Sequence, residues 1–367
     1  MSLWPVYTGS SEPHDGIDAL PAPPPWRAFD GGPALLPPPE EDERGGSPGG
    51  IHRAQTYQPT AETVQLVNAA LYLRRPLLVT GPPGSGKSSL PYAVARELRM
   101  GGVLRWNITS RSALTDGLYQ YDPLSRLYAA GRAGDRGDEL AGSRTGAGGG
   151  ERGGERGGAA RPTAPDREDT AIEDHLRLGP LGTALLPYDR PRVLLIDEID
   201  KSDLDLPNDL LHILEEGEYE IPELVRAART HPVAEVMVAD SEERIAVRHG
   251  EVRCRAFPFV VLTSNGEREF PPAFLRRCVR LELRQPLREQ LEDIVRAHLG
   301  PLDERDRALV DTFLHRGSAG ELATDQLLNA IYLTRTSGLD AASREELAEA
   351  LMPYLGRAAE TWDVDDV

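Results

Sequence analysis

Residues 81–88 read Gly81-Pro82-Pro83-Gly84-Ser85-Gly86-Lys87-Ser88. They satisfy the phosphate-loop pattern G-x-x-x-x-G-K-[ST]. Leu77-Leu78-Val79-Thr80 before them predicts a buried strand, and residues 89–98 after them predict a helix. That context gives the motif a mechanism. Backbone N–H groups of a tight glycine loop converge on phosphate oxygens, and the helix N-terminus adds its positive end. In that geometry Lys87 reaches the β- and γ-phosphates and the Ser88 hydroxyl holds Mg²⁺. Ser89 completes the phosphate-binding set.

Val193-Leu194-Leu195-Ile196-Asp197-Glu198 is the second decisive stretch. Four consecutive apolar residues suit a strand buried on both faces of a parallel sheet. The acids follow at its C-terminal end, where open α/β sheets bind ligands. Asp197 is the expected Mg²⁺ ligand, directly or through water. Glu198 is the expected group to polarise a water attacking the γ-phosphate; the plainer reading is a solvated strand-end acid. A protein that only switched would need the aspartate more than the glutamate, so the pair favours hydrolysis.

Composition narrows the field. The 367 residues allow two folded domains and more. Glycine and proline, at 36 and 31, exceed average usage and cluster unevenly. Residues 1–56, rich in proline, glycine and acid, predict an extended arm with little regular structure. Trp4, Trp26 and Phe29 within it predict docking on the body or on a partner. A net charge of −18 argues against a protein that grips a nucleic acid backbone over its general surface, though not against a local basic pore. Cys254 and Cys278 make neither a disulfide scaffold nor a metal site. No basic leader precedes an apolar stretch, and no run of about 18 apolar residues occurs. The expectation is a soluble, cytoplasmic chain without membrane insertion.

Thr60 caps a predicted helix over 61–73, and Pro76 stops it before the phosphate-loop strand. A strand is predicted over 103–108. Residues 131–169, with two copies of Glu-Arg-Gly-Gly and almost no large apolar residue, predict a disordered insertion. Residues 221–256 suit a helix or loop followed by a β-hairpin turning at His249-Gly250. Residues 259–263 and 279–283 predict the last strands. Gln285-Pro286 marks a boundary, beyond which apolar stripes at helical spacing predict a small helical domain over 286–367.

Thr263-Ser264-Asn265 follows a buried strand, as Asp197-Glu198 does, so the two strand ends can share a rim. Asn265 could orient the water that Glu198 activates; Asn265-Gly266 is also a common turn pair. Pro271-Pro272 opens a short helix that projects Arg276 and Arg277. An arginine on a rigid element far from the phosphate loop suits charge neutralisation at a neighbour's transferred phosphate. Both are also ordinary surface arginines in type.

On these four elements, in this order and spacing, roughly residues 60–340 resemble the MoxR-like branch of the AAA+ ATPases. The resemblance implies an AAA+ P-loop NTPase fold, α/β with a parallel sheet core, over 57–285, followed by a small all-helical lid. It implies ATP and Mg²⁺ as cofactors and a homo-oligomer, a hexameric ring, that remodels an unidentified client protein. It assigns Asn265 as a first sensor and Arg277, then Arg276, as the arginine finger. The inserts that modify ring faces in this branch resemble 221–256. One departure stands out: the lid position that usually carries a second arginine sensor falls in Glu321-Leu322-Ala323-Thr324-Asp325-Gln326-Leu327, which holds no arginine. A slow nucleotide-dependent switch or scaffold is the alternative function.

Overall fold

The computed structural model describes residues 5–36, 48–128, 172–317 and 323–336. The expected insertion at 131–169 lies outside the described residues, as do Trp4 and the end of the expected helical domain. The strands are β1 (Leu77–Thr80), β2 (Leu104–Asn107), β3 (Tyr119–Tyr121), β4 (Leu176–Leu178), β5 (Val193–Asp197), β6 (Glu218–Glu220), β7 (Val233–Met237), β8 (Arg244–Arg248), β9 (Glu251–Arg253), β10 (Phe259–Ser264) and β11 (Val279–Glu282). The helices used below are α1 (Pro48–Thr56), α2 (Ala61–Leu73), α3 (Leu90–Glu97), α4 (Leu206–Glu216), α5 (Pro222–Ala227), α6 (Pro272–Leu275), α7 (Arg288–Leu299), α8 (Glu304–Gly317) and α9 (Thr324–Thr336).

The fold is mixed α/β around a parallel sheet of order β11-β1-β10-β5-β2. Leu77–Val79, Val193–Ile196 and Phe259–Leu262 are buried without alternation, the signature of strands covered on both faces. Register brings Thr80 beside Ser264 and Asn107 beside Asp197. All five strands run the same way, so their C-terminal ends form one rim. β10 lies between β1, which leads into residues 81–88, and the acid strand β5, and its own polar end therefore faces both.

Local signals set the flanking helices. The Thr60 hydroxyl accepts the Thr63 N–H at 3.1 Å and starts α2. Arg74, left-handed at φ 52°, ends it two residues before Pro76. Leu77, Val79, Leu195 and Val261 of the sheet form one cluster with Val67, Leu71, Leu90 and Val94 of α2 and α3. Helices α7, α8 and α9 share a separate apolar cluster of Leu291, Val295, Val310, Phe313, Leu327 and Ile331.

The arm departs from its expected lack of structure. Val6, Tyr7 and Ile17 are buried in the cluster under the sheet, and residues 16–19 and 25–27 form short 3₁₀ turns. Two buried polar side chains of the body receive it. Asn68 Oδ1 accepts the N–H groups of Val6 and Tyr7 at 2.7 and 3.0 Å, and Nδ2 donates to the Tyr7 carbonyl at 2.7 Å. Glu97, wholly buried at the end of α3, accepts from Thr8 N, Thr8 Oγ1 and Gly9 N through Oε1 and from Ser11 N through Oε2. His14 Nε2 lies 3.1 Å from Oε1. Of the expected docking aromatics, Phe29 stacks on Phe257 at 5.4 Å, whereas Trp26 is exposed.

Removing the Glu97 carboxylate, itself wholly buried, takes away the shared acceptor of these part-buried donors. Glu97→Ala is expected to destabilise the body by about 3 kcal/mol, the scale of breaking a buried charged cluster from one side. It is also expected to open residues 5–36 to limited proteolysis. An unchanged denaturation midpoint with an uncut arm would show that the cluster carries no stability.

Among the described residues, those within 115–183 and 219–252 cluster as a second compact unit, and the others form the first. The second unit carries a sheet of order β3-β4-β7-β8-β9-β6. β7 and β8 pair antiparallel over five residues, and β8 alternates exposed and buried positions. His249 and Gly250 both take positive φ, 55° and 77°, as a two-residue hairpin turn between β8 and β9 requires. The stretch read as a hairpin insert is thus part of a larger sheet that also draws on the sequence before the acid strand.

Candidate functional site

Two of the three glycines of the 81–88 loop, Gly81 and Gly84, are required by close approaches. Gly81 takes φ +153°, and a Cβ there would stand 2.4 Å from the Leu283 carbonyl oxygen. Gly84 takes φ +73°, and a Cβ there would stand 2.6 Å from the Thr324 backbone nitrogen. The loop tip is therefore seated against the first residue of α9. Phe313 and Leu314 of α8, together with Thr324, line a small cavity with Pro82, Pro83 and Ser85. The start of α9, Thr324-Asp325-Gln326-Leu327, holds no arginine, and its backbone lies close to the loop. Arg335, further along α9, donates to Asp306 Oδ2 at 2.5 Å and to the Pro301 carbonyl at 2.8 Å, binding the helices to one another.

Lys87 is buried, and its ammonium folds back to donate to the carbonyls of Gly81 at 2.7 Å and Pro82 at 2.8 Å. Ser88, one residue on, donates its hydroxyl to Asp197 Oδ1 at 2.8 Å. The loop and the acid strand, 109 residues apart, meet through this contact. Two further groups hold the same carboxylate. Thr263 Oγ1 at the end of β10 donates to Oδ1 at 2.7 Å, and the Arg105 guanidinium from β2 donates to Oδ2 at 2.7 Å. Burial pushes the Asp197 carboxyl up, but the hydrogen bonds from Thr263, Ser88 and Arg105 and the charge of Arg105 outweigh it and leave it below the ordinary aspartate range. Asp197 is thus held as an anion.

Glu198 follows in a left-handed conformation, φ 62° and ψ 48°. Its N–H donates to Thr263 Oγ1 at 2.9 Å. Thr263 therefore spans the acid pair, accepting from the main chain of one acid and donating to the side chain of the other. The Glu198 carboxylate is half exposed and pairs with Lys201 Nζ at 2.8 Å. It opens onto a cleft of about 510 Å³ with Thr109, Ser110, Asp200 and Glu267.

Asn265 stands at this rim, but its contacts run elsewhere. Its main-chain N–H donates to Asp200 Oδ2 at 2.8 Å and its amide to Glu267 Oε1 at 3.4 Å. Arg277, just after the four-residue α6, pairs with Glu215 and donates to the Ala273 carbonyl at 3.3 Å. The Arg276 side chain is exposed and its carbonyl accepts from Arg75 at 3.3 Å. Within one chain, then, the structure brings together Lys87, Ser88, Asp197 and Glu198, and sets Arg277 against Glu215 of α4 and the Arg276 carbonyl against Arg75.

Two members of the site escape the sequence reading. Thr263 stands there only as a strand-end residue, two before the candidate sensor, and Arg105 only as a strand residue. Arg105 alternates with buried Leu104 and Trp106 in β2, a polar position on a two-residue period at an edge strand. That alternation is the one signal that could have marked it.

Ser88 and Asp197 supply a hydroxyl and a carboxylate oxygen, the ligand types that Mg²⁺ takes. Among the described residues no cluster of three or more His, Cys, Asp or Glu could hold a metal by itself. An ion at this pair would need oxygens brought by a ligand or water. Among the described residues no helix is long and apolar enough to cross a membrane.

No protein-family model matches the chain, and no curated protein does. Among solved structures it is similar to the crystal structure of NtrX from Brucella abortus in complex with ADP. Identity is 15%, the TM-score is 0.40, and the match covers 85% of this chain and 56% of that one.

Proposed function

We propose that this chain is a Mg²⁺-dependent ATPase of the AAA+ type. The supporting observation is the Ser88–Asp197 contact at 2.8 Å, which joins a complete phosphate loop to an ionised acid at the rim of a parallel sheet. In this reading the backbone of residues 81–89 wraps the phosphates. Lys87 exchanges its two loop carbonyls for β- and γ-phosphate oxygens. Ser88 and Asp197 share the metal, which neutralises phosphate charge and fixes its orientation. Glu198 accepts a proton from the attacking water, and Asn265 helps to orient that water once it leaves Glu267. Arg277 completes the site of a neighbouring copy in a ring, with Arg276 as the second candidate. Hydrolysis is then coupled to remodelling of a client protein, as the MoxR-like resemblance implies. The body at 57–285 carries the chemistry, 286–367 the lid.

The test is nucleotide binding by Lys87→Ala. Charge-assisted contacts contribute roughly 1.5–3 kcal/mol each. The variant is expected to raise the Kd for Mg-ATP at least tenfold by titration calorimetry, about 1.4 kcal/mol. An unchanged Kd would remove the phosphate-loop assignment.

A second reading, a slow nucleotide-dependent switch, is favoured by one feature: Glu198 and Asn265 are both engaged with neighbours, Lys201 and Glu267, rather than with each other. Turnover measured at rising protein concentration separates the two. A remodelling ATPase accelerates on assembly, and a slow switch does not.

A further inference from the structure

We infer that Arg105 makes divalent-cation binding at Ser88 and Asp197 depend on nucleotide, because its guanidinium holds the same carboxylate that the cation must use. The inference rests on the nucleotide-binding reading above. It adds to that site a charge that lies in neither residues 81–88 nor residues 193–198.

Strand register delivers the arginine. β2 is the edge strand beside β5, with Asn107 opposite Asp197 and Arg105 opposite Leu195. Leu104 and Trp106 are buried, so Arg105 and Asn107 project from the other face of the strand. From there the guanidinium reaches Asp197 Oδ2 at 2.7 Å. The Arg105 side chain is 41% exposed and that of Asp197 only 8%. An anion fixed inside the rim thus meets a long cation that stands at its edge. The other donors to Asp197, Ser88 and Thr263, are neutral hydroxyls, and both bind Oδ1. Of the remaining cations near the rim, Lys201 pairs with Glu198 and Lys87 donates to the carbonyls of Gly81 and Pro82.

This division decides the sign of the effect. Without the guanidinium, Asp197 keeps both hydroxyl bonds and with them its place. What it loses is a neighbouring positive charge. A dication that shares a carboxylate with a guanidinium is repelled by it, and at a few ångströms this outweighs the support of one hydrogen bond among three. Arg105 therefore lowers the affinity of the site for a dication that arrives alone. A nucleotide changes the balance. Its phosphates bring negative charge to the same rim, and they are good acceptors for a guanidinium as well as for a dication.

The probe is Mn²⁺, followed through the electron paramagnetic resonance signal of the free ion. The proteins are wild type, Arg105→Gln, Arg105→Lys and the double variant Arg105→Gln/Asp197→Asn. Glutamine keeps a hydrogen-bond donor without the charge, and lysine keeps the charge. Without nucleotide, Arg105→Gln is expected to bind Mn²⁺ at one site at least tenfold more tightly than wild type does. Arg105→Lys should stay within about threefold of wild type, and the double variant should lose the gain. In saturating ADP the gap between wild type and Arg105→Gln should shrink below about threefold. If Arg105→Gln binds Mn²⁺ no more tightly, the guanidinium only supports Asp197 and the inference is overturned. An equal gain in Arg105→Lys, a gain that survives Asp197→Asn, or a gap that persists in ADP also overturns it. Arg105→Met gives the same comparison if the glutamine variant does not fold. Calorimetry with Mg-ADP on wild type separates this inference from the reading beneath it. Binding of Mg-ADP without a gain in Arg105→Gln keeps the proposed function and removes the role of Arg105. No binding of Mg-ADP removes both.

Discussion

Glu198→Gln is expected to bind Mg-ATP as wild type does and to release phosphate at least a hundredfold more slowly. General-base catalysis by a positioned side chain is worth about 10² to 10⁴ in rate. Glutamine keeps the length and shape of glutamate but cannot take a proton from water. The backbone argument makes the effect local. Glu198 N–H is held by Thr263 Oγ1, and this bond uses no side-chain atom of Glu198. Asp197 keeps its bonds to Ser88, Thr263 and Arg105, so the proposed metal pair survives. The bond to Lys201 is the one contact that changes character, and it lies on the surface, where an ion pair contributes little. Binding by calorimetry and single-turnover phosphate release separate the two effects. A near wild-type kcat would leave Glu198 as the surface partner of Lys201 and move the reading to the slow switch.

The sheet was legible because its strands obey one rule. Val193-Leu194-Leu195-Ile196 and Phe259-Val260-Val261-Leu262 lack alternation, and a run buried on both sides must sit inside a covered parallel sheet. Each run ends in polar residues, and parallel pairing places those ends together. The 81–88 loop, the acid pair and Thr263 therefore fall at one rim. The α2 cap at Thr60 and the His249-Gly250 turn were legible for a similar reason, since both are determined by a few adjacent residues.

What depended on distant partners was not legible. Glu97 and Asn68 occupy helix positions where a polar residue reads as solvated, and only the folded arm shows that they are buried receivers for residues 6–14. Val6, Tyr7 and Ile17 are too sparse among prolines and glycines to form a periodic pattern, yet each fills a place in the core. β3 and β4 share a sheet with β7, β8, β9 and β6, although β5 stands between them in sequence, and no local pattern carries such a pairing. Arg105 reaches Asp197 across neighbouring strands, a contact fixed by register rather than by motif.

Arg277→Ala and Lys87→Ala, each inactive alone, are expected to recover part of the ATPase activity when mixed. Arg277 sits just past a short helix opened by Pro271-Pro272, and its own chain offers it Glu215 rather than the 81–88 loop. The side chain is exposed, and the hydrogen bond and charge of Glu215 raise its pKa further, so it stays a cation at any working pH. A surface pair of this kind contributes between nothing and about 1 kcal/mol, so a phosphate can take the arginine from Glu215. Arginine fingers supply about 10³ to 10⁵ in rate. Arg277→Ala is therefore expected to bind Mg-ATP normally and to lose at least a thousandfold in kcat. Lys87→Ala lacks bound nucleotide but still presents its arginine. At a mixed boundary, an Arg277→Ala copy holding ATP faces a Lys87→Ala copy that supplies the finger, and that site is complete. Recovery should peak at intermediate mixing ratios and fall on dilution, because a lone subunit has half a site. If no ratio restores turnover while sedimentation shows that the variants co-assemble, Arg277 does not act in trans. Arg276, exposed beside it and accepting from Arg75 through its carbonyl, then becomes the residue to exchange in the same experiment.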